Sequence, residues 1–110
     1  MGINITTLSR IARERGHQDE RTRRRLSEAL NLIDSNDPVK LADAAYLLRL
    51  AVEPVAIDNR CPRAALKALE FEALRRESLY LGEPTQRVDE LGAEAERLQD
   101  EAITMDRSNP

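Results

Sequence analysis

Residues 73–91 read ALRRESLYLGEPTQRVDEL, and this stretch decides the fold. It begins with a helical composition, and then Gly82 and Pro84 place two helix breakers close together. A second helical pattern follows them at once. Helices joined by so short a turn pack side by side, so the stretch predicts a helical hairpin.

The helix before this turn is predicted from Pro62 to Gly82, and the helix after it over residues 85–105. The earlier helix is apolar on so many sides that it must contact several neighbours, either in the chain or in another subunit. In the later helix, apolar positions step by three and four residues, which is the seam of a helical hairpin or coiled coil. Those positions are Val88, Leu91, Ala95, Leu98, Ala102 and Met105. Because Gly92 costs a helix roughly 1 kcal/mol relative to Ala, this helix needs a packing partner.

Another helix is predicted over residues 37–53, within SNDPVKLADAAYLLRLAVEP. Asp37 is its expected cap, and Pro38 takes the first helical position, where a missing N–H costs nothing. Pro54 ends the helix because it restricts the residue before it. Since polar residues form only one narrow stripe, we expect this helix to be buried around most of its circumference and to be the central helix.

Two helices are predicted in the basic N-terminal region. The first begins at Thr6 or Thr7 and ends near Arg15, with Gly16 expected in a left-handed conformation just beyond it. The second covers about residues 19–34 and has apolar positions at helical spacing.

The predicted fold class is therefore all-α, with about five helices, a central helical hairpin and a single domain over residues 1–110. Its parts are basic N-terminal helices (1–34), core helices ending in an acidic helix (37–105), and a frayed tail (106–110). One cysteine, no apolar run of roughly 18 residues and no secretory signal predict a soluble, cytoplasmic protein without a membrane partner.

Charge is unevenly distributed along the chain. Residues 1–25 carry seven Arg against three acids, a balance of +4, and residues 83–106 carry eight acids against two Arg, a balance of −6. Fifteen of the seventeen basic residues are Arg, which indicates either a GC-rich genome or recognition of phosphate or carboxylate groups. The acidic helix is either a solvated face or a docking site for a basic partner.

No arrangement of residues predicts an enzyme, a metal site or a cofactor. The one His and one Cys, His17 and Cys61, have no predicted orienting group, and two such residues do not make a metal site. We expect His17 to be solvated in a turn and Cys61, directly before Pro62, to be either a helix cap or a half-buried structural residue. The four glycines are scattered, so no phosphate-binding loop is present.

The segment LSRIARERGHQDERTRRRLSEAL, residues 8–30, reads as helix, short turn and helix. Ala12 lies four residues before Gly16, as the small residue and turn glycine do in helix-turn-helix motifs. Polar residues at the bracing positions, His17 and Thr22 among them, argue against a sequence-reading motif and favour contact with phosphates. The DNA-facing candidates are Arg10, Arg13, Arg15, Arg21, Arg23, Arg24 and Arg25.

The segment PRAALKALEFEALRRESLYLGEPTQRVDEL, residues 62–91, resembles a part of phage small terminase subunits. In that family, a helix with an Ala-Leu-x-x-Leu-Glu rhythm and a basic pair ends at a Leu-Gly-x-x-Pro stop. The matching residues are Ala65, Leu66, Leu69, Glu70, Arg75, Arg76, Leu81, Gly82 and Pro84. The resemblance covers residues 37–91. It implies ring-forming, non-catalytic proteins that bind the DNA to be packaged and regulate the large subunit.

The predicted function is thus a homo-oligomeric accessory protein of DNA packaging. It would contact duplex DNA weakly and without strong sequence specificity, and a basic partner such as a packaging motor through its acidic helix. Candidates for the oligomer or partner interface are Val88, Leu91, Leu98, Met105, Glu94, Asp100, Glu101 and Asp106. The alternative is a small helical adaptor or inhibitor that binds a protein and no nucleic acid.

Overall fold

The computed structural model describes residues 2–16 and 18–108, and in these ranges the chain forms five helices and no strand. The helices are α1 (Ile5–Arg15), α2 (Glu20–Ile33), α3 (Pro38–Val52), α4 (Arg60–Tyr80) and α5 (Thr85–Ser108). The radius of gyration of the Cα atoms is 13.1 Å, close to the value of about 13 Å for a compact domain of 100 residues. The predicted all-α single domain is confirmed. His17, expected to be solvated, lies outside the described residues.

The first three helices begin at side chains that accept backbone hydrogen bonds. Asp19 and Asp37 accept at 2.8 and 3.0 Å from N–H groups in the first turns of α2 and α3, so the predicted cap at Asp37 is confirmed. The cap predicted for the first helix at Thr6 or Thr7 is wrong, because Asn4 accepts a hydrogen bond from the N–H of Thr7 at 3.0 Å. Asn and Thr both cap well, so sequence alone does not choose between them.

The turn between α4 and α5 depends on Gly82, which has φ +73°. The N–H of Glu83 donates to the carbonyl of Ser78 at 3.0 Å, and the N–H of Gly82 to that of Leu79 at 3.1 Å. This pair of bonds is a Schellman motif, which requires a left-handed residue that only glycine adopts without cost. The predicted hairpin stop is therefore present, although α4 ends two residues before Gly82.

At Gly16 the predicted left-handed conformation is wrong, since φ is −83° and ψ is −14°. Glycine fits here for a different reason: a Cβ would collide with the carbonyl oxygen of Ala12.

The central helix is α4, which packs against α1, α3 and α5, whereas α2 packs on α3. The prediction that the helix over residues 37–53 is central is wrong: α3 leaves Val39 and Tyr46 68% and 60% exposed. The reason lies in the small residues of α4, because Ala64, Ala65 and Ala68 let neighbouring backbones approach from several sides. The apolar surface of α4 is thus covered mainly within the chain.

The C-terminal helix continues to Ser108, so the predicted frayed tail is helical over residues 106–108; residues 109–110 lie outside the described ranges. Asp106 holds this last turn in place, because its carboxylate accepts hydrogen bonds from Arg10 and Arg15 of α1.

Candidate nucleic-acid interface

Two of the DNA-facing candidates, Arg10 and Arg15, are held by an acid at the other end of the chain. Arg10 Nη2 lies 3.0 Å from Asp106 Oδ2, and Arg15 Nη2 donates to the main-chain carbonyl of Asp106 at 2.9 Å. The hydrogen bond from Arg15, followed by that from Arg10, lowers the pKa of Asp106 below its usual range. Arg10 also binds Glu14 at 2.9 Å. The basic and acidic ends of the sequence therefore meet inside one molecule.

The arginines of α2 are more available. Arg24 pairs with Glu20 at 2.7 Å across one helical turn, with both side chains more than three-quarters exposed. Arg23 donates through Nε to the carbonyl of Gln18 at 3.1 Å. Arg21 and Arg25 form no ion pair with any carboxylate in the described ranges. Arg21, Arg23 and Arg25 thus form no ion pair with a carboxylate of the described residues, although the charges of Arg21 and Arg25 contribute to the lowered pKa of Asp19.

The remaining candidate, Arg13, is exposed on α1 and forms no ion pair within the part of the chain that the structure describes. Whether it shares a surface with the arginines of α2 depends on how α1 and α2 pack. Helix α1 packs on α4 and α5, whereas α2 packs on α3. The two helices therefore do not brace each other as in a helix-turn-helix unit.

At the joint between α1 and α2, polar residues are buried where that motif has apolar ones. Thr22 is 3% exposed and Gln18 is 8% exposed. The amide of Gln18 has no hydrogen-bond partner among the described residues. An unpartnered buried amide costs stability, and we have no physical account of its presence.

The apolar seam of α5 is used within the chain. Leu91 and Leu98 are each 6% exposed, and Ala95 and Ala102 are fully buried, with α4 as the main packing partner. The other two interface candidates of this seam, Val88 and Met105, are half-buried. The predicted hairpin seam is present, and its role between subunits stays a prediction.

The acidic candidates on α5 are mostly paired within the chain. Glu94 accepts from Arg97 Nε at 3.1 Å, and Glu101 lies 3.1 Å from Arg60 Nη2. Asp106 is held by α1, as described above. Asp100 is the exposed member of the set, with no ion pair to a described residue. Most of the negative charge predicted to face a partner protein is thus neutralised internally.

The strongest ionic cluster is one that the sequence reasoning missed. Arg75 Nε and Nη2 bind the two oxygens of Glu72 at 2.8 and 2.9 Å, and Arg76 Nε binds the same carboxylate at 2.7 Å. Arg76 Nη1 also donates to the carbonyl of Ile33 at 2.7 Å, which ties α4 to the end of α2. The signal was present, because residues three and four positions apart share a helix face.

Burial and charge act in opposite directions on Glu72, whose side chain is 4% exposed. Burial raises the pKa of Glu72, but hydrogen bonds from Arg75 and Arg76 and their positive charges outweigh it, so the pKa is lowered overall. Gly92 on α5 faces the same cluster, and a Cβ there would lie 3.1 Å from Arg75 Cδ. The basic pair of the terminase resemblance therefore serves an internal contact.

Cys61 is half-buried, as predicted. It lies inside the first turn of α4 and does not cap it, because the helix begins at Arg60 and not at the predicted Pro62. Its Sγ donates to the carbonyl of Ala102 at 3.4 Å. Burial raises the pKa of this thiol.

Within residues 2–16 and 18–108, no group of three or more His, Cys, Asp or Glu side chains is placed to hold a metal ion. None of the helices described is long and apolar enough to cross a membrane. Comparison of the chain with protein-family models, with curated protein sequences and with solved structures found no match.

Proposed function

We propose that this chain is a non-catalytic binding protein that contacts the phosphates of duplex DNA through α2, weakly and without strong sequence specificity. The observation that carries the proposal is the run of four arginines over residues 21–25, of which Arg24 alone forms an ion pair with a described carboxylate. Guanidinium groups bind phosphate oxygens in bidentate fashion, and such contacts supply affinity without reading the base sequence.

The position of these arginines supports a role outside folding. They lie in the first turns of α2, where the positive end of the helix dipole disfavours cations. Since Arg21 and Arg25 form no ion pair with a described residue, we infer that an external anion explains their placement.

The accessory role follows from the resemblance to small terminase subunits. In this proposal the protein is a cytoplasmic homo-oligomer that joins DNA to a packaging motor. Among the acidic residues predicted to contact a partner, Asp100 is the one that forms no ion pair with a described residue. Leu91 and Leu98 are already buried against α4, so an oligomer interface would have to use other apolar side chains.

A helical protein-interaction module without DNA binding is the second candidate. The observation in its favour is the exposure of large apolar residues on helices and loops, among them Tyr46 and Ile57 at 60% and 83%. Exposed apolar side chains of this size favour a protein partner when they lie together on one surface.

The deciding experiment measures binding of a short fluorescent duplex by anisotropy over a range of salt concentrations. The test variant is Arg21→Gln/Arg25→Gln, and the matched control is Lys40→Gln/Arg87→Gln, which removes the same charge from exposed positions elsewhere. We expect the test variant to lower the slope of log affinity against log salt by about 2, and the control to leave it close to that of the parent.

Absence of binding by the parent protein at low salt would refute the DNA proposal and favour the interaction module. Equal losses in the test and control variants would show that net charge, and not α2, determines the affinity.

A further inference from the structure

The tip of the α4–α5 hairpin, residues 79–90, is an exposed surface that combines apolar side chains with negative charge. Leu79, Tyr80 and Leu81 follow one another and are 52%, 52% and 56% exposed. Every residue from 79 to 87 is exposed, so no other helix covers the tip. Its charged side chains are Arg87 against Glu83, Asp89 and Glu90, which leaves the surface acidic.

The tip is also well defined in conformation. The Schellman bonds around Gly82 hold the turn, and the buried seam of α5 begins at Leu91, directly after it. A preformed surface loses little conformational freedom when a partner binds, so the ordering cost of association is small.

A second surface surrounds Ile57, in the loop between α3 and α4, and we call it the Ile57 surface. Ile57 is 83% exposed and lines two neighbouring depressions, one between α3 and α4 and one between α4 and α5. Their basic lining residues are Arg49, Arg60, Arg63, Lys67 and Arg97, and their acidic ones are Glu53, Glu70 and Glu101. Arg60 and Arg97 are paired with Glu101 and Glu94, so the excess of positive charge comes from Arg49, Arg63 and Lys67 against Glu53 and Glu70. The surface is therefore concave and weakly basic, with the apolar Ile57 in both depressions.

Ile57 and the hairpin tip lie at opposite ends of α4. Ile57 precedes Arg60, the first residue of α4, and the tip begins in the last turn of that helix. The helix has 21 residues. At 1.5 Å per residue the ends of α4 are about 30 Å apart, so the tip does not contact Ile57 of its own chain.

We propose that two copies of this chain associate head to tail, with the hairpin tip of one copy bound to the Ile57 surface of the next. The occupant is a second copy because one chain carries both halves of the match: a protruding acidic apolar tip and a concave basic apolar surface. Opposite charges orient such a contact, and the apolar side chains at its centre supply the affinity. A contact between two different patches joins successive copies in a ring or a chain.

This contact adds an interface to the oligomer of the proposed function, and it uses none of the arginines of α2. The two proposals can therefore fail separately. A protein that shifts DNA but stays monomeric would refute the contact alone, and a protein that associates without binding DNA would refute the DNA proposal alone.

The test is sedimentation velocity over a range of protein concentrations, with far-UV circular dichroism to verify the fold. We expect the mass of the parent to rise with concentration. Ile57→Asp lies in an exposed loop, so we expect an unchanged helical spectrum and a dissociation constant raised at least about tenfold. A matched control, Glu28→Arg, changes an exposed charge on α2, outside both surfaces and outside the interface candidates, and should associate like the parent.

Two charge-reversal variants make the assignment specific. The tip variant is Glu83→Arg/Asp89→Arg and the surface variant is Arg49→Glu/Lys67→Glu. We expect each to be monomeric alone, because it brings like charges together at the contact. An equimolar mixture should associate again for two reasons. The basic tip of one variant can bind the acidic Ile57 surface of the other, and the native tip of the second can bind the native Ile57 surface of the first.

A monomeric parent at all accessible concentrations would overturn the proposal, as would association that neither charge variant nor Ile57→Asp weakens. So would a mixture of the two charge variants that stays monomeric.

Discussion

Replacing Glu72 with Gln removes the anion shared by Arg75 and Arg76, and we expect it to lower the free energy of unfolding by about 3 kcal/mol. The side chain of Glu72 is 4% exposed and accepts three hydrogen bonds of 2.7–2.9 Å. Removing one partner of a buried pair costs about 3–5 kcal/mol. The two guanidinium groups are 31% and 24% exposed, so water partly replaces the carboxylate and the lower end of that range applies.

The assay is urea unfolding followed by far-UV circular dichroism, which reports on all five helices together. The matched control is Glu94→Gln, because Glu94 pairs with Arg97 at the same three-residue spacing, but with both side chains more than a third exposed. We expect this control to cost less than about 1 kcal/mol. Equal losses of unfolding free energy in the two variants would refute the argument that burial makes the Glu72 cluster more stabilising than an exposed ion pair.

The effect of Glu72→Gln should also depend on pH. Because the folded protein holds the pKa of Glu72 below its usual value, the stabilisation is present above the unfolded pKa of about 4.3. It is lost as the pH falls through the lower folded value. We therefore expect the stability difference between parent and variant to shrink below about pH 4, and a difference that stays constant there would contradict the assignment of the charge.

Two further variants test smaller features of the structure. Gly92→Ala should raise the free energy of unfolding by much less than the roughly 1 kcal/mol expected from helix propensity. The reason is that the new Cβ would lie 3.1 Å from Arg75 Cδ and push that side chain away from Glu72. A thermal melt that shows the full gain would mean that Arg75 moves freely. Asp106→Asn should release the two arginines of α1 that Asp106 binds. We expect the slope of log DNA affinity against log salt to become steeper by about 1–2. An unchanged slope would show that those arginines do not reach the phosphates.

Local features of the sequence predicted the helices well. Helix ends depend on hydrogen bonds and steric limits within a few residues, so they can be predicted from short motifs. The examples here are the Asp37 cap with Pro38, and Gly82 with Pro84. The apolar seam of α5 was predictable because its period of three and four residues follows from helix geometry alone. The error at Thr6 and Thr7 arose because Asn4 has a comparable capping preference. The error at Gly16 arose because a glycine can be required by a close backbone contact as well as by a left-handed conformation.

The candidate site was less predictable. A count of charges along the chain places basic residues at one end and acids at the other. It does not show that Asp106 lies beside Arg10 and Arg15, 96 and 91 positions away in sequence. That contact pairs three candidate binding residues with one another, and it leaves Arg13 and the arginines of α2 as the DNA-facing candidates outside this contact. The exposed surface at Ile57 had no sequence signal, because an isoleucine in a loop has no period to interpret.

By itself the sequence determined the fold class, the number of helices and the hairpin, because each depends on spacing, capping and turn chemistry between near neighbours. Only the tertiary structure decided which helix is central, because apolar residues on α3 and α4 look alike until the small side chains of α4 admit three neighbours. It also decided which charges are paired and which face solvent. Those outcomes depend on the faces that meet after packing, and the interactions involved join residues far apart in the chain.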